Sequence, residues 1–82
     1  MKSNIFLAAI SNRYKLKFLY NLNEIELDPY FIANNKCGKK VIYGRVNNSF
    51  EVKMFEYDKI LNIKVLDYSK FSPIIPLIPM AN

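Results

Sequence analysis

"KLKFLYNLNEIELDPYFIAN", residues 15–34, decides the fold. It holds two runs of alternating hydrophobicity separated by "NLN", residues 21–23. In the first run Leu16, Phe18 and Tyr20 share one side, and Lys15, Lys17 and Leu19 the other. In the second, Ile25 and Leu27 point inward and Glu24, Glu26 and Asp28 outward. A period of two with one wet side is the pattern of a half-buried strand, so the stretch predicts two strands joined by a turn. Pro29 has no N–H to give to a ladder and marks a bend, bulge or edge in the second strand.

The same period continues downstream. "NKCGK" (35–39) reads as a tight turn around Gly38, the residue type that takes positive φ most readily. "KVIYGRV" (40–46) is a third strand, with Val41, Tyr43 and Arg45 opposite Lys40, Ile42, Gly44 and Val46. After "NNS" comes "FEVKMFEY" (50–57), with Phe50, Val52 and Met54 on one side and Glu51, Lys53, Phe55 and Tyr57 on the other. "ILNIKVLD" (60–67) forms a last strand, with Leu61, Ile63 and Val65 expected inward. Upstream, residues 4–12 predict a short helix capped by Ser3, apolar around most of its circumference and therefore packed against the sheet. Arg13 suits the negative end of that helix. A helix and five short strands, with turns every eight to twelve residues, predict a mainly β (α+β) chain built as a small antiparallel barrel. Residues 1–72 form that domain, and 73–82 form a tail of different composition.

In the tail, Pro73, Pro76 and Pro79 recur every third residue among Ile74, Ile75, Leu77 and Ile78. Helix and sheet are excluded, which leaves an extended polyproline-type segment. Either it covers an open end or edge of the barrel, or Pro73, Ile74, Ile75, Pro76, Leu77 and Ile78 form a strap that meets a partner or a second copy.

Eighty-two residues make one core, and a chain this short buries only about 60–65% of its unfolded surface, so association is expected. The hydrophobic content of 51% and aromatic content of 15% exclude a disordered chain. Cys37 is the single cysteine, which fits a reducing cytoplasm. The apolar run "IFLAAI" (5–10) is too short for a signal peptide, and no run approaches the ~18 apolar residues of a membrane span.

Chemistry for catalysis is thin. The chain has no histidine and only two glycines, Gly38 and Gly44, so the usual general base, a Cys/His zinc cluster and a glycine-rich phosphate loop are all missing. The row Glu24, Glu26 and Asp28 reads as a solvated strand face more readily than as a cation site, and Cys37 as a turn residue. A non-enzymatic protein without a cofactor is expected. The net charge of +5 points instead to polyanions, though a charge of this size also serves solubility. Lys15, Lys17, Lys40, Arg45, Lys53 and Lys59, interleaved with Tyr43, form the candidate ligand-binding set, since cations track phosphates while rings stack on bases. Simple alternation accounts for most of the chain's rings as core, which is the plainer reading.

The order of these pieces resembles the WYL domain of bacteria over about residues 7–71. "LAAISNRYKLKFLYN" is similar to that domain's opening helix and strand, ending here at Tyr20. "IELDPYFI" resembles its valine-x-proline step, with Leu27 and Pro29 in the matching places. "KVIYG" lies where the naming tripeptide and its glycine occur, and Lys40, Val41 and Ile42 replace Trp-Tyr-Leu. "VKMFEYDKI" resembles the basic–x–phenylalanine run through Lys53, Phe55, Lys59 and Ile60, with lysines in place of arginines; "NIKVLDYSKF" resembles the closing strand. The resemblance implies an Sm-like, SH3-type barrel. It also implies a sensing or accessory module for single-stranded nucleic acid or a nucleotide, tied to transcription regulation or to phage and CRISPR defence. A homo-oligomer or a larger protein partner is expected with it, and no membrane. The alternative is a protein-interaction module that uses the apolar tail and an open strand edge.

Overall fold

The computed structural model describes residues 2–47 and 49–71. Along the chain come α1 (Lys2–Asn12), β1 (Tyr14–Tyr20), β2 (Asn23–Asn34), β3 (Lys40–Val46), β4 (Val52–Glu56), a 3₁₀ turn (Tyr57–Lys59) and β5 (Ile60–Lys70). The strands make one antiparallel sheet in the order β4-β3-β2-β1-β5. The helix and the five strands are those expected. The sheet is open, with β4 and β5 as its edges, where a closed barrel was expected. The apolar tail, 73–82, lies outside the described residues.

Register explains the two faces. Leu16 pairs with Leu27 and Phe18 with Ile25. Directly paired residues share a face, so alternation puts Leu16, Phe18 and Leu27 on the side that α1 covers. Phe6, Ala9 and Ile10 of α1 meet them there, with Ile32, Ile42, Phe55, Tyr57 and Ile60. The ring of Phe6 stands edge-on to Tyr57 at 4.9 Å. Between Pro29 and Phe31 the β2–β3 register shifts: Pro29 pairs with Gly44 and Phe31 with Tyr43, leaving Tyr30 as the extra residue. This is the bulge that a donor-less proline foreshadows, and it returns Ile32 to the core face opposite Ile42.

Three expectations change. Ser3 is not the cap: α1 begins at Lys2, and the Ser3 hydroxyl meets that of Tyr57 at 3.3 Å. β4 begins at Val52, so Phe50 lies in the preceding loop and is 84% exposed. On β5, Leu61 faces water and Ile60 is the buried residue, while Val65 stays on the core side opposite Leu16 yet is 40% exposed on this edge strand. The cause is local. Asn62 has φ 55°, and the β1–β5 register shifts between Lys17 and Leu19, so Leu61 is paired with Leu19 on the outer face.

Candidate nucleic-acid interface

The face away from α1 gathers part of the basic set. Lys15 and Lys17 of β1 lie on it, as do Glu24, Glu26 and Asp28 of β2 and Tyr43 and Arg45 of β3; Asp28 pairs directly with Arg45. Lys40 and Lys53 belong to the opposite face, since Lys53 pairs with Gly44, two residues from Ile42. Lys59 sits in the 3₁₀ turn, 3.7 Å from Glu56. The seven candidates therefore do not form one surface. Lys15, Lys17, Tyr43 and Arg45 come together; Lys40, Lys53 and Lys59 do not join them.

The centre of the face is a residue that alternation assigned to water. Asp28 is only 1% exposed. Nε and Nη2 of Arg45 both donate to its Oδ2, at 3.2 and 2.7 Å. Lys15 Nζ lies 3.6 Å from Oδ1 and 3.8 Å from Glu26. Oδ1 itself is buried without a hydrogen bond. The hydrogen bonds that Arg45 donates to Asp28 raise its pKa above the ordinary value against an opposing desolvation, so the guanidinium is a fixed cation at any physiological pH.

Gly44 makes this geometry possible. A Cβ there would lie 2.4 Å from the Asp28 carbonyl oxygen and 2.8 Å from Leu27 Cγ. The missing side chain lets β2 and β3 close up beside the proline, which sets Arg45 directly over Asp28.

Beyond the pair, Lys15, Arg45, Asn47, Ser49 and Phe50 line an open recess of about 390 Å³. Its loop is held by three bonds: Asn47 N–H to Glu26 O (2.9 Å), Ser49 N–H to Val46 O (2.9 Å) and Glu51 N–H to Ser49 Oγ (3.0 Å). Two cations, an amide, a hydroxyl and a bare ring surround one space. Tyr43 lies elsewhere on the face, stacked on Phe31 at 4.6 Å and paired with Met54. Lys17 is 3.6 Å from Glu24 and directly opposite Lys64.

Sequence reasoning missed Asp28, Asn47, Ser49 and Phe50 as members of this site. Asp28 had a signal, because an acid beside a strand proline sits where regular alternation fails. Phe50 had none, since its period extended the next strand. Among the described residues no group of acids, cysteine or histidine is placed to hold a metal ion, and the carboxylate row is spent on lysines and Arg45.

No family model matches the chain, and no curated protein matches it. A solved structure is similar: proteasome accessory factor B/C (PafBC) of Arthrobacter aurescens, at a TM-score of 0.74 and 18% identity. The match covers 85% of this chain and 12% of that one, so the chain spans about an eighth of that protein's length. At this identity the likeness is one of fold. That shared fold agrees, loosely, with the WYL-like architecture expected from the sequence.

Proposed function

We propose that this chain is a non-enzymatic regulatory module that binds a nucleotide or a short stretch of single-stranded nucleic acid in the recess beside Asp28. One observation carries the reading: Lys15 and Arg45 adjoin the exposed ring of Phe50 around a single open space. Cations hold a phosphate and a bare ring stacks on a base, which is the combination such ligands need. The fold likeness to PafBC supports a regulatory setting; a place in transcription or in phage defence is part of the proposal.

The test is fluorescence anisotropy of labelled single-stranded DNA, RNA and a labelled nucleotide at low salt. Phe50→Ala should weaken binding about 5–30-fold, the equivalent of ~1–2 kcal/mol for one stacked base. Lys15→Gln should weaken it further. Flat binding curves for all three probes would sink the reading.

A second reading rests on the open edge. β5 carries Leu61 at 60% and Tyr68 at 81% exposure along a strand whose outer side is unpaired among the described residues. Such an edge accepts another strand, from a second copy or a larger protein. Light scattering with and without residues 73–82 tests it together with the apolar tail. An unchanged monomer mass in both forms, and no strand exchange at β5, would count against it.

A further inference from the structure

Lys40, left out of the recess beside Asp28, opens a different one. Where the start of α1 meets the 3₁₀ turn and the start of β3, two adjoining recesses of about 230 and 270 Å³ share Ser3, Lys40 and Tyr57 in their walls. Lys2 lines the second and donates from Nζ to the Tyr57 carbonyl oxygen. Neither Lys2 nor Lys40 has a carboxylate within ion-pair distance among the described residues, and Asp58 nearby is taken by Lys39 at 3.8 Å. Lys2 and Lys40 outnumber Asp58 in its walls, so the cleft carries a net positive charge.

The hydroxyls make the stronger point. Ser3 Oγ and Tyr57 Oη are 3.3 Å apart, and among the described residues they form their only hydrogen bond with each other. That bond is long for two hydroxyls, whose usual separation is about 2.7–2.8 Å. Whichever way it runs, it uses one of the two protons. The other has no acceptor among the described residues, although Tyr57 is only 7% exposed. Ser3 is half-buried, so the spare proton reaches the cleft, where water or a ligand has to accept it. Here a spare hydroxyl donor and two ammonium groups without a carboxylate partner converge on one cleft, whose walls also hold the Asp58 carboxylate and the Asn34 amide.

We propose that this cleft is a second, separate ligand site, which takes a small phosphate-type oxyanion between Lys40, Lys2 and the Ser3–Tyr57 hydroxyl pair. Such a ligand is chiefly an acceptor, opposite in charge to the two lysines, and it meets the cleft's surplus of donors. It completes the coordination of the leftover hydroxyl proton and offsets the charge of both lysines. The recess has an apolar side in Leu7 and Ile32, so a phosphate monoester with a short carbon body fits as well as the free ion. The site shares no residue with the recess at Lys15, Arg45 and Phe50, and it stands or falls independently of the function proposed for that one.

The experiment is a titration of the intact chain with inorganic phosphate, followed by amide and side-chain NMR, beside the Lys40→Gln, Tyr57→Phe and Phe50→Ala variants. Saturable shifts at Ser3, Lys40 and the 3₁₀ turn are expected. Lys40→Gln should weaken the phosphate affinity about tenfold. Tyr57→Phe, which keeps the ring and removes only the hydroxyl, should weaken it several-fold; Phe50→Ala should leave it unchanged. Lys40 is exposed, so its variant reports on binding without disturbing the fold. The proposal is overturned if shifts at the cleft fail to saturate, if Lys40→Gln binds phosphate as the parent does, or if the shifts cluster only at Lys15 and Arg45. A glycerol phosphate arm separates the sources: tighter binding than inorganic phosphate selects a monoester, equal binding the free ion.

Discussion

Replacing Arg45 by alanine should destabilise the protein far more than a surface ion pair would. The Asp28 carboxylate is 2% exposed at its side chain, and Arg45 supplies both of its hydrogen bonds. Without Arg45 the charge keeps only Lys15, 3.6 Å away and beyond hydrogen-bond distance. Removing one partner of a buried pair costs about 3–5 kcal/mol; water entering through the emptied recess and the remaining lysine reduce this to roughly 2–4 kcal/mol. Asp28→Asn should cost less, about 1–2 kcal/mol, because an amide oxygen still accepts from Arg45 and the buried charge is gone. A domain of 82 residues has in total about 4–12 kcal/mol to lose. Arg45→Ala should thus lower Tm by about 8–32 °C, at ~4–8 °C per kcal/mol. The chain has no tryptophan, so urea and thermal unfolding are followed by far-ultraviolet circular dichroism. The double variant closes a cycle, and a coupling of about 2 kcal/mol is expected between the two sites. An Arg45→Ala cost under about 0.5 kcal/mol, the range of an exposed pair, would refute the reasoning. The same argument makes Phe50 and Lys15, rather than Arg45, the residues with which to probe ligand binding.

Leu22 lies at φ 66° in the two-residue β1–β2 turn, after Asn21 at φ 51°, and is 96% exposed. Asn-Gly is the preferred pair for such a turn, so Leu22→Gly should raise stability by about 1 kcal/mol in urea unfolding; a loss would contradict the assigned turn. Gly44→Ala sets a Cβ against the Asp28 backbone at 2.4 Å, where no side chain is free to swing away. It should cost several kcal/mol, on the scale of a severe core clash, and a near-wild-type midpoint would disprove the close approach of β2 and β3. Burial raises the Tyr57 pKa, with the Ser3 hydroxyl opposing. A phenol raised in the folded state contributes stability that is complete below its unfolded value of about 10 and lost as pH climbs through the folded value. Tyr57→Phe should therefore flatten the stability profile above about pH 10, and an unchanged profile would show that another group titrates there.

Alternation made most of the fold legible. Leu16, Phe18, Leu27 and Ile42 fall on the core face as their spacing demands, because a period of two admits only two sides. It failed where the backbone leaves the regular strand. At Asn62, positive φ and a register shift carry Leu61 outward and bring Ile60 in. Period counting across that point gives the wrong face for Leu61, and an asparagine, which tolerates positive φ, is the one residue-type signal there. At Pro29 the interruption was visible, but its consequence, a buried Asp28 held by Arg45, depends on a cross-strand register that one strand cannot reveal. The candidate site was legible to the same extent. Lys15, Lys17, Tyr43 and Arg45 share a face by parity, whereas Phe50, Asn47 and Ser49 reach the recess only through loop bonds to Glu26, Val46 and Glu51.

The distribution of charge bears on what kind of binding each side supports. The net charge of +5 suggests a polyanion held mainly by counterion release, hence a steep loss of affinity with salt. The face beside Asp28 does not support that. On β1, β2 and β3 it sets Lys15, Lys17 and Arg45 against Glu24, Glu26 and Asp28, and Lys64 opposite Lys17 is the added cation. A face so nearly balanced neutralises one or two phosphates, for which the slope of log affinity against log salt is about −0.7 to −1.4 for a single strand. Much of the surplus lies elsewhere, at Lys2 and Lys40 beside the cleft and at Lys53 on the face opposite Arg45. Affinity at the Asp28 recess must then come largely from the ring of Phe50 and from the fixed direction of Arg45. Measured slopes separate the two accounts: a value near −1 that survives Lys53→Gln supports recognition by shape and stacking. A value of −4 or steeper would mean that the ligand runs over the lysine-rich side and that the recess is not its main seat.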